Sequence, residues 1–362
     1  MSALKTILCD EIAANGPMPL DVFMQRALTD PTHGYYMQRQ PFGAPDAQGG
    51  DFITAPEVSQ MFGEVLGAWV ADLWDRMGRP TPFCLAELGP GRGTLMADML
   101  RAASVLPAFG DAAQIHFVEI SPHLRAAQKQ AVPHAIWHER PEDLPPLPSL
   151  IVANEFFDAL PVTQFKYGAE NWHEIMVGVN DKTLTYIEGD AQDAPFSAAL
   201  RACLPDGIGP GDIVEVSAAS EAAMAQLASH IQKNGGAALV IDYGHAEKAC
   251  GDSFQALHRH RYVDPLDAPG MADITAHVNF PLLAHMADAA GLAVAPIVEQ
   301  GHFLEALGLS IRAQQLMQAS PGREKQINEE RLRLAAPQHM GQLFKVLGVA
   351  HPAMPPLAGF AA

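Results

Sequence analysis

The stretch Glu87-Leu88-Gly89-Pro90-Gly91-Arg92-Gly93 decides how this chain folds. It follows the apolar run 83–86 and precedes a helical pattern over 94–100, which predicts a strand, a glycine-rich turn and a helix. Three glycines within five residues let the backbone approach a ligand that any Cβ would block. The turn also brings backbone N–H groups and a helix N-terminus to one point, so we expect the three glycines to bind a ligand.

Two acidic residues narrow the choice of ligand. Glu87 ends the strand before the turn, and Glu119 ends the next predicted strand, 115–119. A carboxylate at Glu87 suits an amine-bearing ligand better than a pyrophosphate, and Glu119 can accept hydrogen bonds from both hydroxyls of a ribose. The spacing G-x-G-x-G differs from the G-x-G-x-x-G of dinucleotide-binding folds, which counts against an oxidoreductase. A glycine turn with two strand-end acids resembles class I S-adenosylmethionine-dependent methyltransferases, although the turn alone also fits other α/β enzymes.

Composition excludes several classes of protein. The chain has 362 residues, 48% of them hydrophobic, which is enough for a large core or two linked lobes. A net charge of −18 repels phosphate backbones, so we expect no nucleic acid partner. The four cysteines form no C-x-x-C pair and no histidine spacing is typical of a metal site, so we expect reduced thiols and no metal. The absence of a long apolar run and of a signal or transit pattern predicts a cytoplasmic protein without a membrane span.

The first eighty residues contain helical patterns and one loop of interest. The Pro/Gly-rich stretch 40–50 leads into Asp51 and Thr54. Thr54 and Glu57 fit a capping box, and apolar residues recur at helical spacing over 58–77, which predicts a long buried helix. Because Asp51 and Thr54 stand just before that helix, they are candidates for the functional site.

A second group of polar residues follows the predicted strand 150–153. It reads Asn154-Glu155-Phe156-Phe157-Asp158. In a doubly wound sheet the carboxyl ends of the central strands meet at the ligand crevice. A pair of carboxylates suits a cationic nucleophile such as a guanidinium, and one of them can take up the proton that the nucleophile loses. The alternative is that Asn154, Glu155 and Asp158 only cap a turn.

The pattern changes after residue 161. Three strands joined by short turns predict an antiparallel meander, after which the α/β pattern resumes and ends in a helical tail. The predicted elements are, in order, strands at 164–167, 172–179, 183–187 and 212–216, a helix at 220–231, a strand at 237–244, a long loop at 245–280, and helices near 302–318, 323–334 and 338–347.

Five motifs together resemble the MidA family of class I S-adenosylmethionine-dependent methyltransferases. They lie at 34–37 (GYYM), 50–64 (GDFITAPEVSQMFGE), 87–95 (ELGPGRGTL), 154–161 (NEFFDALP) and 241–244 (IDYG). The resemblance extends from roughly residue 4 to residue 350. It implies an α/β fold, namely a Rossmann-like doubly wound methyltransferase sheet with N-terminal helices, an inserted antiparallel β meander and C-terminal helices.

The resemblance also implies a chemistry. The family includes the mitochondrial arginine methyltransferase that assists assembly of respiratory complex I, and its eukaryotic members work in the mitochondrial matrix. It therefore implies S-adenosylmethionine as donor, an exposed protein arginine as acceptor, and symmetric dimethylarginine on a complex I peripheral-arm subunit as product. A small-molecule methyltransferase and an assembly factor without turnover remain as alternatives.

These arguments yield an assignment of residues and of regions. We expect the donor to contact Glu87, Gly89, Gly91, Gly93, Glu119, Asn154 and Thr54, and we expect catalytic roles for Glu155, Asp158 and Asp51. The expected regions are an N-terminal helical region with an active-site loop (1–80), the first half of the donor-binding core (81–161), an inserted meander as acceptor lobe (162–211), the second half of the core with its long loop (212–300) and a C-terminal helical tail (301–362).

Overall fold

The structure is a computed structural model that describes residues 2–38 and 53–360. The chain forms two compact units, each assembled from three separate stretches of sequence. We call the first the meander unit (Met1–Phe52, Phe157–Ala223 and Glu247–His285) and the second the parallel-sheet unit (Ile53–Phe156, Met224–Ala246 and Met286–Ala362).

The helices and strands are numbered along the chain. The α-helices are α1 (Ala3–Asn15), α2 (Leu20–Thr29), α3 (Tyr35–Gln38), α4 (Ala55–Val58), α5 (Gln60–Arg76), α6 (Thr94–Ala103), α7 (Pro107–Ala112), α8 (Pro122–Ala131), α9 (Ala198–Cys203), α10 (Ala218–Asn234), α11 (Phe280–Ala289), α12 (Gln300–Ala306), α13 (Leu309–Ala319) and α14 (Glu324–Ala335). The strands are β1 (Met18–Pro19), β2 (Phe83–Leu88), β3 (Ala113–Val118), β4 (Ile136–His138), β5 (Ser149–Asn154), β6 (Thr163–Tyr167), β7 (Trp172–Asn180), β8 (Thr183–Gln192), β9 (Ile213–Val216), β10 (Gly236–His245), β11 (Gln255–His258), β12 (Arg261–Val263), β13 (Asp273–Thr275), β14 (Val278–Asn279), β15 (Ala293–Val294), β16 (Val298–Glu299) and β17 (Phe344–Ala350).

A mostly parallel sheet forms the centre of the parallel-sheet unit. Its strand order is β15-β17-β10-β5-β2-β3-β4, and β17 is antiparallel to its neighbours. Every residue of β2 and of β5 is buried, as expected for strands that are covered on both faces. The chain runs outward from β2 to β3 and β4 on one side, and to β5 and β10 on the other. This reversal places a topological switch point between β2 and β5, and the Rossmann-like α/β prediction is confirmed.

Helix α5 packs closely against α6 because two glycines lie on the facing side. A Cβ on Gly63 would lie 2.5 Å from the Cβ of Asp98, and one on Gly67 would lie 2.5 Å from the carbonyl oxygen of Met99. The long buried helix predicted over 58–77 is therefore present, but it starts later than expected. Ser59 is extended and caps α5 with its hydroxyl.

The predicted capping box is wrong. Thr54 precedes the separate short helix α4, and its side chain makes no capping hydrogen bond. The carboxylate of Glu57 accepts hydrogen bonds from other side chains, which compete for it.

The meander unit contains the antiparallel strands that the sequence predicts. Strands β6, β7 and β8 pair in succession, and the β7–β8 turn uses Asp181 and Lys182 at positive φ (46° and 62°), typical of a tight hairpin. β1 pairs antiparallel with β7 at Met176 and Val177, next to the residues that pair with β6. The strand expected at 212–216 is present as β9, and it pairs antiparallel with β6.

Two predictions of secondary structure are wrong. Residues 245–280 are not one long loop, because β11 pairs antiparallel with both β12 and β13 in a small sheet. The helix predicted at 338–347 is a π-helical turn followed by strand β17, which is buried along almost its whole length. The predicted helix near 302–318 is present as two helices, since the chain turns at Gly308 with φ 95°. In the described part of the chain, no helix combines the length and apolarity needed to cross a membrane.

Candidate functional site

The donor-binding residues predicted in the parallel-sheet unit lie around the carboxyl ends of its central strands. Leu88 pairs in register with Val118 of β3 and with Ala153 of β5, so the three strands end level with one another. The residues that follow these ends are therefore neighbours at the switch point, where ligands of such sheets bind. The structure thus brings Glu87, the glycine turn, Glu119 and Asn154 together within one unit.

The glycine turn has the conformation for which glycine is needed. Gly89, Gly91 and Gly93 have φ of 60°, 52° and 81°, a region that other residues rarely adopt. A Cβ on Gly89 would also lie 3.1 Å from the ring of Phe156, a tight contact that the ring would have to move to relieve. Gly93 is the N-cap residue of helix α6 and has no side chain to accept hydrogen bonds from the first backbone N–H groups, of which that of Met96 donates to Glu87.

Two buried acceptor atoms lie next to the turn. The side chain of Glu87 is almost fully buried, and burial raises its pKa to about 8, against a lowering by the backbone N–H of Met96. Among the described residues, Glu87 Oε2 and Asn154 Oδ1 have no hydrogen-bond partner. Buried acceptors without donors cost free energy, so both atoms fit a ligand that supplies N–H groups, such as an ammonium.

Glu119 is held at both carboxylate oxygens. Oε1 accepts a hydrogen bond from the backbone N–H of Ser121 (2.7 Å), and Oε2 accepts one from Nε2 of Gln128 (3.0 Å). Burial raises the pKa of Glu119, while these hydrogen bonds oppose the rise. A carboxylate fixed in this way has lone pairs left to accept the two hydroxyls of a ribose.

Glu155 follows strand β5 in a strained conformation. Its φ is 50°, and its Oε1 accepts hydrogen bonds from the backbone N–H of Ala55 (3.1 Å) and from Nδ2 of Asn154 (3.3 Å). Non-glycine residues at positive φ persist only where the surroundings hold them, and they are frequent at functional sites. Here the backbone N–H of Phe156 donates to Oδ2 of Asp242 (3.1 Å), which fixes the next residue. Thr54, which is buried, precedes the helix that holds Glu155.

The other two predicted catalytic residues are placed differently. Asp158 belongs to the meander unit, where its backbone carbonyl accepts from the N–H of Ala276 (3.1 Å). Its carboxylate is buried there near Tyr36, whose hydroxyl donates to Oδ1 of Asp273 (2.7 Å). Burial, Asp273 and Asp158 all raise the pKa of Tyr36, which shows a negative local potential. Asp51 lies outside the described residues.

Two residues at this edge escaped the sequence analysis as site residues. Gln128 is buried in α8 and contacts both the glycine turn and Glu119. Glu57 accepts hydrogen bonds from the side chains of Arg92 and Thr94 in and after the turn. The spacing of Leu124 and Gln128, four residues apart on one helix face, is the signal that could have indicated a buried glutamine.

Comparison with known proteins decides the family. Residues 65–298 match the family described as "Putative S-adenosyl-L-methionine-dependent methyltransferase". The chain belongs to this family. Among its relatives are the Drosophila melanogaster protein arginine methyltransferase NDUFAF7 homolog, mitochondrial (38% identical, covering 97% of this chain and 86% of that protein), and human NDUFAF7 (34% identical, 92% and 80%). These matches confirm the MidA-like assignment.

A solved structure supports the same conclusion. This chain is similar to the crystal structure of a likely methyl transferase from Burkholderia thailandensis bound to S-adenosyl-homocysteine, with a TM-score of 0.85 and 27% sequence identity. The superposition covers 99% of this chain and 94% of the Burkholderia chain. The chain is an S-adenosylmethionine-dependent methyltransferase with S-adenosylmethionine as its cofactor. The three glycines of the turn at positive φ and the unpartnered acceptors of Glu87 and Asn154 fit that cofactor. Within 2–38 and 53–360, no group of three or more His, Cys, Asp or Glu side chains could hold a metal ion.

Proposed function

We propose that this methyltransferase transfers its methyl group to the guanidinium of an arginine in a protein. The observation that carries the proposal is the identity of 33–38% with relatives that are named protein arginine methyltransferases, over at least 92% of this chain. The chemistry of the strand-end residues is compatible with such an acceptor.

In this proposal the donor is bound by the residues of the parallel sheet. Glu87 and Asn154 accept hydrogen bonds from its ammonium group, Glu119 accepts those of its ribose, and the glycines let its chain pass close to the backbone. Thr54 completes this part of the site beside helix α4. S-Adenosylmethionine supplies an electrophilic methyl group on a sulfonium sulfur.

The acceptor must lose one proton when its nitrogen gains the methyl group. The carboxylate of Glu155 is held by the backbone of Ala55 and by Asn154, which fixes its direction. A fixed carboxylate can bind a guanidinium through two hydrogen bonds, orient one nitrogen and receive its proton. We assign this role to Glu155.

Asp158 provides the second negative group in the proposal. Its carboxylate and that of Asp273 are both buried, and after burial itself both raise the pKa of Tyr36. A region of negative potential favours a cation, and a guanidinium is always charged at physiological pH. We propose that Asp158 contributes this attraction and that Asp51 assists it.

The resemblance to the MidA family leads us to propose the acceptor as well. We propose a complex I peripheral-arm subunit, or a protein similar to it, as the substrate and symmetric dimethylarginine as the product. Transfer to one nitrogen followed by transfer to the other requires that the monomethylated side chain can turn around and bind again.

The test is a transfer assay on purified protein. The full chain, S-adenosylmethionine and a recombinant peripheral-arm subunit are incubated, and tryptic peptides are analysed by mass spectrometry. We expect a dimethylated arginine that loses methylamine, and not dimethylamine, on fragmentation. Methylation of small molecules alone, or donor binding without any transfer, would overturn the proposed acceptor.

A further inference from the structure

One buried side chain connects the glycine turn with the carboxylate of Glu119. Gln128 of α8 is completely buried, and its Nε2 donates to the backbone carbonyl of Gly91 (2.8 Å) and to Oε2 of Glu119 (3.0 Å). Its Oε1 accepts a hydrogen bond from the indole Nε1 of Trp137 (2.8 Å), on β4. Both hydrogens and the oxygen of this amide are thus used, and the amide has one fixed orientation.

The contacts join two structures that the sequence separates. Gly91 lies in the turn after β2, and Glu119 follows β3. Helix α8, which follows both in the chain, supplies the amide group that contacts both. The amide N–H of Gln128 and the backbone N–H of Ser121 donate to different oxygens of Glu119, which favours the ionised carboxylate because both of its oxygens accept. The indole of Trp137 excludes the flipped amide, which would face donor with donor.

We propose that Gln128 is a positioning residue for cofactor binding, which holds the turn at Gly91 and the carboxylate of Glu119 in one fixed geometry. It touches the cofactor only through these two groups. The proposal rests on the proposed contact of Glu119 with the ribose and does not depend on the acceptor. A glutamine that merely filled space would need none of the three hydrogen bonds.

Removal of the amide N–H of Gln128 also changes the pKa of Glu119. Its pKa is raised by burial and lowered by the N–H of Ser121 and by Gln128, so loss of Gln128 raises it further. Charged or titratable residues beside it in the described chain include Arg125 of α8, which donates to the backbone carbonyl of Glu119 (2.8 Å), and His138 of β4, whose backbone carbonyl accepts from the N–H of Glu119 (2.9 Å). Burial lowers the pKa of His138, which keeps it neutral near pH 7.

The experiment uses calorimetric titration of the full chain with S-adenosylhomocysteine between pH 5 and pH 8. Gln128→Met keeps the length of the side chain and removes its donor. We expect affinity at pH 8 to fall roughly ten- to a hundredfold, as for a lost hydrogen bond to a charged group. In the plot of affinity against pH, affinity falls at low pH when Glu119 becomes protonated, and in the variant this fall should occur at higher pH. Glu87 titrates equally in both proteins, so the difference between the two profiles reports Glu119.

Gln130→Met is the matched control. Gln130 lies in the same helix, two residues away, and is exposed, so affinity and pH profile should equal those of the wild type. Gln128→Glu preserves shape and the acceptor for Trp137, so it guards against a variant that fails to fold. The carboxylate that this change introduces lies beside that of Glu119, so the two charges should repel each other and weaken cofactor binding more as pH rises. Wild-type affinity in either folded Gln128 variant would overturn the proposal.

Discussion

Glu57 of helix α4 and Arg92 of the glycine turn form a bidentate ion pair. Glu57 Oε1 accepts from Nε of Arg92 (3.1 Å) and from the hydroxyl of Thr94 (2.7 Å), while Oε2 accepts from Nη2 of Arg92. The same helix holds Glu155 through the N–H of Ala55. One short helix therefore contacts both the cofactor turn and the proposed catalytic carboxylate.

This relationship predicts the effect of Glu57→Gln. The change leaves the half-buried guanidinium of Arg92 without its carboxylate, and the turn loses its attachment to α4. We expect roughly tenfold weaker binding of S-adenosylhomocysteine by calorimetry, the usual size for charge-assisted hydrogen bonds. Adding Arg92→Gln should restore part of the affinity, because no unpaired charge then remains.

Glu330→Gln is the control for Glu57. Glu330 accepts a hydrogen bond from the hydroxyl of Ser59 (2.8 Å), at the other end of α4. We expect unchanged cofactor affinity in this variant. Equal losses in both variants would mean that only the stability of the segment matters.

The raised pKa of Glu87 predicts that cofactor binding releases a proton. In the protein without ligand the pKa is about 8, so the group is mostly protonated at pH 7. An ammonium beside it favours the ionised form and lowers this pKa. Affinity should therefore rise with pH up to about 8, and the binding enthalpy at pH 7 should differ between buffers of different ionisation enthalpy. Glu87→Gln should remove the buffer dependence and weaken binding.

The same group makes stability depend on pH. Its folded pKa lies above the ordinary value of 4.5, so the folded state binds the extra proton between these two pH values. The contribution is fully present below pH 4.5 and is lost as pH rises through about 8. In thermal unfolding without cofactor, Glu87→Gln should lose less stability than the wild type between pH 5 and pH 8. Parallel curves for the two proteins would contradict the assignment.

Asp158→Asn should separate binding from transfer. In the proposal Asp158 attracts the acceptor and does not bind the cofactor, so calorimetric affinity for S-adenosylhomocysteine should be unchanged. Loss of its charge should lower the rate of arginine methylation by about a hundredfold or more, the typical range for a positioned acid–base or charge partner. Asp264→Asn, an exposed position in the same unit, should have the wild-type rate. An unchanged rate in Asp158→Asn would remove the support for its role.

Adjacent glycines at the start of β10 predict very different losses of stability. Gly235 and Gly236 both have positive φ (80° and 110°), but only at Gly236 would a Cβ collide with the backbone of Ser149 in β5. Gly235→Ala should cost about 1 kcal/mol of unfolding free energy, from conformational strain alone. Gly236→Ala should cost about 3 kcal/mol or more, because two paired strands must separate. Chemical denaturation of both variants measures the difference, and equal losses would contradict the collision.

How much of this was readable from the sequence depends on the range of the interactions. The strand–turn–helix around Gly91 is determined by residues that are neighbours in the sequence, and so is the hairpin at Asp181. Strand β17 was mistaken for a helix because Phe344-Lys345-Val346-Leu347 has no distinctive local pattern. Its identity comes from pairing with β10, a partner about a hundred residues earlier. Gln128 escaped notice for the same reason, since a buried and an exposed glutamine in a helix look alike until their contacts are known.

The position of β17 has a consequence for the nascent chain. This strand separates β10 from β15, yet it is translated after both. While the ribosome still holds residues 344–350, β10, β15 and β16 all lack the strand that pairs with them, and unpaired strand edges readily pair with other chains. Until β17 emerges from the ribosome and completes the sheet, the growing polypeptide is therefore a natural client for chaperones.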